Sequence, residues 1–401
     1  MMLRVLCFAA LLALGATMAV VKDFGDDDVT TDTATSTDST TPAATTPTTP
    51  APIVTTAAPP PSYYCKCEST SLWLDIVFLV DTSDAVANNG LANIIATIQS
   101  ILYGVTNGAA KFQTRAAIVS YASQVSVDYK FGDISSYDDV DNINIQYRGT
   151  PGENITGALE AGKDILLSNP RKGTKQVIFL IAASYRGDVA SDPAKVAEQF
   201  KLGGGVIITT EYIQEGESEI PLLANISTPG YAFSNKRPGE FTGPNIIQAL
   251  CDVNCFCPTG LTAYAQGNTR GVPSGGCHEA VNVPAVFRAA KSSCSRKLAI
   301  VSSAHTDDKT NFLMAQYAPK TKYWIGYEFD GSNWKFEDNS TLTYTKWAKG
   351  EPNIAKGKCA YAQQTSGFKT EWFAANCQNV QTDFYDYVCE SRPCDSTYYC
   401  F

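Results

Sequence analysis

Histidine is scarce. The 401 residues hold two, His278 and His305, and neither sits in an evident nucleophile motif or a His-rich metal pattern. A phosphate-binding loop is missing, and Gly203-Gly204-Gly205 reads as a turn into a strand, not a dinucleotide fingerprint. These gaps argue against an enzyme. Basic charge is also short: Lys and Arg number 31 against 40 Asp and Glu, giving a net charge of −9. Such a chain lacks the positive field that nucleic acid and anionic membranes require. Long apolar runs are absent too. Val5–Leu14 is too short to span a bilayer, and no later stretch reaches ~18 uninterrupted apolar residues, so no membrane span is expected. Cys65-x-Cys67 and Cys255-x-Cys257 are spaced too tightly for the usual zinc pairs.

What is present points to export. Arg4 precedes the short apolar run, and small residues follow at Gly15, Ala16 and Ala19, the layout of a cleaved signal peptide over 1–19. Of 13 cysteines, Cys7 lies in this leader and an even number remains, as in the disulfide framework of a secreted, extracellular protein. Asn154, Asn225 and Asn339 each open an Asn-x-Ser/Thr acceptor for N-glycosylation. Residues 20–64 are rich in Thr, Pro, Ala, Ser and Asp and carry no hydrophobic period. That composition cannot bury a core and suits a linker or O-glycosylated stalk. Tyr398-Tyr399-Cys400-Phe401 is no lipid-anchor signal.

From residue 65 the texture alternates. Leu74–Val80 is a short apolar run of the kind found in buried parallel strands. Ala87–Leu102 has helical spacing, Arg115–Tyr121 and Val125–Tyr129 are strand-like, and Ile155–Leu167 is helical. Lys175–Ala182 and Gly205–Thr210 read as strands; Pro193–Leu202 and Asn245–Leu250 read as helices. Alternation of this kind predicts an α/β doubly wound domain over 65–255. After Cys257 aromatics, turns and cysteines become dense, with helical patterns near Glu279–Lys291 and Asp307–Tyr317. The expected division is 257–392 for a second domain of α+β type and 393–401 for a tail. Cys65 and Cys67 precede the first domain and Cys251 and Cys255 follow it, so bridges between the two pairs would tie its ends together. Which cysteine joins which is open.

The strand ending in Asp81-Thr82-Ser83, the segment Asn154-Ile155-Thr156-Gly157 and the strand Val177–Ile181 resemble a von Willebrand factor A domain. That resemblance implies a Mg²⁺ site at the carboxyl end of the sheet, fed by oxygens from three loops. Asp81 and Ser83 keep two of the expected ligands. Ala85 replaces the last serine, Glu153 stands where a threonine is expected, and Ala182 and Ala183 replace Thr-Asp. No Mg²⁺ binding is expected.

The second segment resembles a C-type lectin-like domain of the long form. The resemblance rests on Ala290-x-x-x-Cys294, Trp324-Ile325-Gly326-Tyr327, Trp347, Glu351-Pro352-Asn353, Cys359, Cys377 and Tyr387-Val388-Cys389-Glu390. It implies the pairs Cys294–Cys389, Cys359–Cys377 and Cys257–Cys277, and leaves Cys394 and Cys400 to pair in the tail. Trp324 and Trp334 are expected in the core. In sugar-binding members the Glu and Asn flanking a cis proline hold a Ca²⁺ that bridges to mannose-type sugars. Glu351, Pro352 and Asn353 are intact here. The companion Trp-Asn-Asp reads Trp372-Phe373-Ala374, and Lys358 stands where an acid is usual. A weakened calcium site is expected at Glu351 and Asn353, with no obligatory cofactor and Trp372 and Phe373 as alternative ligand contacts.

The functional expectation is a secreted recognition or adhesion protein with a glycan or protein ligand, resembling nematode proteins of host defence that combine these modules. The alternative is a calcium-independent protein-binding or matrix component.

Overall fold

A computed structural model describes residues 65–185, 192–317, 321–338, 340, 343–365 and 369–399. The signal-peptide and stalk segments, Asn339 and Cys400 lie outside the described residues.

The first domain is a six-stranded sheet flanked by helices. Its elements are β1 (Leu74–Asp81), α1 (Asn88–Tyr103), β2 (Arg115–Tyr121), β3 (Val125–Tyr129), α2 (Tyr137–Asp141), α3 (Ile155–Ser168), β4 (Lys175–Ala182), α4 (Pro193–Leu202), β5 (Val206–Glu211), β6 (Ala232–Ser234) and α5 (Gly243–Val253). The strand order is β3-β2-β1-β4-β5-β6, parallel except for the edge pair β2–β3. All eight residues of β1 are buried, because both faces of a parallel sheet are covered. Ile76, Phe78 and Val80 pack with α1 and α5 through Ile94, Ile98 and Leu250. Val77 and Leu79 point the other way, toward Leu159 of α3 and Ala197 of α4. This is the expected doubly wound α/β architecture.

The second domain contains β7 (Thr262–Ala263), β8 (Cys277–Ala285), α6 (Phe287–Ser295), β9 (Ile300–Val301), α7 (Asp307–Met314), β10 (Lys322–Phe329), β11 (Trp334–Phe336), β12 (Cys359–Gln364), β13 (Thr370–Ala375) and β14 (Tyr385–Ser391). Its sheet runs β13-β12-β10-β14-β8-β7, with β11 beside β10 and β9 beside β14. The helical expectation near Glu279–Lys291 is corrected. Residues 277–285 form strand β8, and the helix begins at Phe287. Cross-strand pairing with β14 overrides the local pattern, helped by β-branched Val281 and Val283 and by Pro284, which suits no helix interior. The helix predicted to reach Tyr317 ends at Met314. In Trp324-Ile325-Gly326, the glycine is dictated by contact: a Cβ there would lie 2.1 Å from the Val301 carbonyl oxygen.

The domains meet at a clasp. Cys65 pairs with Cys255 and Cys67 with Cys251, resolving the open connectivity. The first bridge spans 190 residues, a loop whose closure removes about 5 kcal/mol of unfolded-chain entropy. The second is nested inside it and adds less. Cys257–Cys277, Cys294–Cys389 and Cys359–Cys377 are formed as the resemblance implied. Cys394 is disulfide-bonded. The segment read as a tail is anchored: Lys66 N–H donates to Asp395 (3.1 Å), Glu68 N–H to Ser396 (2.8 Å), and Phe256 and Cys394 exchange backbone hydrogen bonds. Tyr399 packs edge-on against Trp73 and Phe112.

Two buried carboxylates brace the domains. Asp75, fully buried, receives a fork from Arg115 at 2.9 and 2.7 Å and a second guanidinium from Arg171 at 2.9 Å. Glu390 receives Lys309 Nζ at 2.7 Å and the Ser302 hydroxyl at 2.8 Å, with His278 Nε2 at 3.5 Å. Burial alone would raise the Glu390 pKa, but Lys309 and His278 outweigh it and hold the group well below the usual carboxylate range. Its contribution is therefore present above the ordinary carboxylate pKa and fades as pH falls.

Removing Asp75 strands two largely buried guanidiniums. Asp75→Ala is expected to lower stability by about 3–5 kcal/mol, read as a shift of the urea midpoint of the first domain. A loss under about 1 kcal/mol contradicts this account of the pair.

Candidate functional site

The expected site lies between the Trp347 region and β12–β13. Trp347 forms an isolated bridge with Trp372, which seats the following loop against β13. The Glu351–Pro352 peptide is cis, as the resemblance implied. Glu351 has a side chain only 2% exposed, while Pro352 and Asn353 are exposed.

Both carboxylate oxygens of Glu351 are taken. Oε2 accepts the N–H of Asn353 (2.8 Å) and of Ala374 (3.1 Å), and Oε1 accepts Lys356 Nζ at 2.5 Å. The Asn353 side-chain oxygen accepts the Ala355 N–H at 3.1 Å. The loop thus closes on itself, with an ammonium at the carboxylate where a bridging cation would sit. Burial pushes the Glu351 pKa up, but Lys356 and the Asn353 and Ala374 N–H donors outweigh it, so the group is held below its ordinary value. Gly357 fixes the approach: it has φ +151°, and a Cβ there would lie 1.9 Å from the Ala375 carbonyl oxygen. The cation opposing Glu351 is therefore Lys356, not Lys358. Lys358 is exposed and offers its carbonyl to the Phe329 N–H at 2.8 Å.

A calcium ion takes six to eight oxygens. Here Phe373 and Ala374 supply no side-chain oxygen, both Glu351 oxygens already accept hydrogen bonds, and Asn353 is turned to its own loop. The residues at Glu351 and Asn353 do not fit calcium.

Trp372 departs from its expected role. It is fully buried in a cluster with Tyr327, Tyr344 and Trp347, because alternation along β13 turns it inward and turns Phe373 outward. It has no face for a ligand. Phe373 is half-buried and stacks on Tyr361, ring centroids 5.3 Å apart. Trp324 is core as expected, with Nε1 donating to the Ala285 carbonyl (2.7 Å). Trp334, also expected in the core, is partly buried against Tyr327 and Trp347.

At the carboxyl end of the first sheet, Asp81 and Ser83 are buried together. Asp81 accepts the Ser83 N–H (2.9 Å) and the Ala183 N–H (3.0 Å), which joins the ends of β1 and β4. Burial raises its pKa; the Ala183 and Ser83 N–H groups work against that, and Glu153 adds to it. Glu153 adds a carboxylate, but with Ala85, Ala182 and Ala183 at the other ligand positions the side-chain oxygens fall short of the octahedral set that Mg²⁺ demands.

The remaining candidates have structural partners. His305 lies 2.9 Å from Asp338 and packs on Phe336. Asp307 and Asp308 occupy the first turn of α7, capped by Thr306, where the helix dipole favours acids. Asn154 is exposed at the N-cap of α3, with its side-chain oxygen on the Gly157 N–H (2.9 Å), and Asn225 is exposed at the end of a 3-10 turn.

Comparison with known proteins matches residues 75–246 to the profile of the von Willebrand factor type A domain and residues 283–391 to that of the C-type lectin domain. C-type lectin domain-containing protein 160 of Caenorhabditis elegans is 24% identical over 367 residues, 84% of this chain. The chain spans 56% of that relative's length. Among solved structures, the C-type lectin domain of murine dendritic cell inhibitory receptor 2 in complex with N-glycan is 19% identical, with a TM-score of 0.29 over 34% of this chain and 98% of its own. Calcium-independent type II antifreeze protein is 20% identical, with a TM-score of 0.28 over 34% and 95%.

An ion held with a Kd a hundredfold below its concentration adds about 2.7 kcal/mol. Millimolar Ca²⁺ or Mg²⁺ is expected to leave the melting temperature of the full chain unchanged, and a clear upward shift contradicts the two donor counts. Lys356→Met is expected to cost about 1 kcal/mol at pH 7, since the lysine is exposed and partly screened. Glu351 has a lowered pKa, so this stabilisation exists above the ordinary carboxylate range and is lost below it. The deficit of the variant should shrink steadily in melts as pH falls below about 4, through the lowered Glu351 pKa; a deficit unchanged by pH assigns Lys356 a packing role only.

Proposed function

We propose that this chain, in which a von Willebrand factor type A domain is joined to a C-type lectin domain, is a secreted, non-enzymatic recognition protein whose lectin-like head takes its ligand without a calcium bridge. The two domains make it a lectin-like recognition or adhesion protein. The observation that carries the calcium-independent reading is the Lys356–Glu351 contact. A carboxylate already neutralised by its own loop has little to gain from a divalent ion. The ligand is a protein or glycan surface met by half-buried Phe373 and exposed Ile354, apolar groups of the kind that anchor protein and sugar contacts.

Secretion is supported by five disulfides among the described residues and by the leader-like start. No described helix is long and apolar enough to cross a membrane. Exposed Asn154 and Asn225 suit N-glycosylation. A second reading, calcium-dependent binding of mannose-type sugars in innate defence, is favoured by the intact Glu351-cis-Pro352-Asn353.

The readings separate on a glycan array and a panel of matrix proteins, each probed in calcium and in EDTA. The expected result is a ligand captured equally in both buffers, and absence of any glycan hit assigns the face to protein. Mannose-type hits that disappear in EDTA overturn the proposal in favour of the second reading.

A further inference from the structure

The clasp between the domains encloses a crevice of about 550 Å³, within the size range of small-ligand sites, which favour domain interfaces. Its walls come from both domains. Phe256, Pro258 and Leu261 line it from the connector, Leu298 from the turn after α6, and Tyr398 and Tyr399 from the anchored C-terminal segment. These make an apolar and aromatic body.

The charge at its edge is one-sided. Lys172, Lys297 and Arg392 line the crevice against a single carboxylate, Glu279. Lys297 holds Glu279 at 2.7 Å, and Arg392 lies over the Tyr398 ring while reaching Asp395 at 2.8 Å. Lys172 has no ion pair among the described residues. Lys175 packs its ammonium 4.7 Å from the Phe256 ring centroid, likewise without a carboxylate partner among the described residues. Two ammonium groups without a carboxylate partner among the described residues thus stand beside one aromatic wall.

Leu298 adds apolar surface at the rim. It sits at φ +56° as the left-handed residue that closes α6, where the Ala299 N–H reaches the Cys294 carbonyl at 3.1 Å. Its side chain is left 80% exposed beside the crevice.

We propose that the crevice is a binding site for a small amphipathic organic anion, a carboxylate or sulfate joined to an aromatic or aliphatic body. The body lies against Phe256, Leu261 and Tyr398 beneath Leu298, and the acidic group meets Lys172.

The test uses the full chain and anilinonaphthalene sulfonate, an amphipathic anion whose fluorescence rises on apolar contact. Saturable one-site binding is expected, displaced by dodecanoate but not by uncharged dodecanol. Lys172→Glu should weaken it about tenfold, since reversing a charge near an acid makes an attraction repulsive. Leu298→Asp should weaken it as well, while Lys195→Glu, on distant α4, should not. Circular dichroism and melting confirm that each variant is folded; should Leu298→Asp fail to fold, Lys172→Glu and the dodecanol comparison decide. Absence of saturable binding, equal displacement by dodecanol, or affinity unchanged in Lys172→Glu overturns the proposal.

Discussion

A carboxylate taken out of water must be met by a cation or by several N–H donors, because desolvation costs far more than folding can spare. This chain meets that constraint from its own side chains. Asp75 sits between Arg115 and Arg171 at the base of the first sheet. Glu390 is held by Lys309 within the second domain. Asp81 is received by N–H groups of Ser83 and Ala183 with no cation beside it, and burial raises its pKa. Glu351 is met by two backbone N–H groups and Lys356. The last case underlies the proposed function. A loop whose charge is balanced internally has less to gain from an ion, as the proposed calcium-independent head requires.

The same economy of internal partners governs the join between domains. Cys65–Cys255 and Cys67–Cys251 tie the start of the first domain to its end, and the segment around Asp395 and Ser396 returns to the same place. Two domains that would otherwise move independently across a short connector share one braced corner. The crevice under Leu298 is a product of that corner, since its walls arrive from several separated stretches of chain.

Much of this was legible in the sequence. Apolar runs such as Leu74–Val80 gave the buried parallel strands, because a strand covered on both faces needs no polar alternation. The cysteine order carried three pairings through resemblance, whereas Cys65 and Cys67 needed the fold to choose partners. Glu351-Pro352-Asn353 marked the loop, and the losses at Phe373 and Ala374 marked its failing metal set. Lys356 was missed although it lies five residues past Glu351; only the turn from Asn353 to Lys356 brings it back. Trp372 was misread because spacing alone does not tell which face of β13 looks inward. Residues 277–285 were misread because pairing with β14 is a long-range fact.

The central claim is that Lys356 occupies the cationic position at Glu351. A crystal structure of the full chain grown in about 10 mM CaCl₂, a concentration well above the weak end of extracellular calcium sites, tests it directly. The account predicts Lys356 Nζ within hydrogen-bond distance of Glu351 and no ion in the loop. A calcium ion coordinated by Glu351 and Asn353, with Lys356 displaced to solvent, would contradict it.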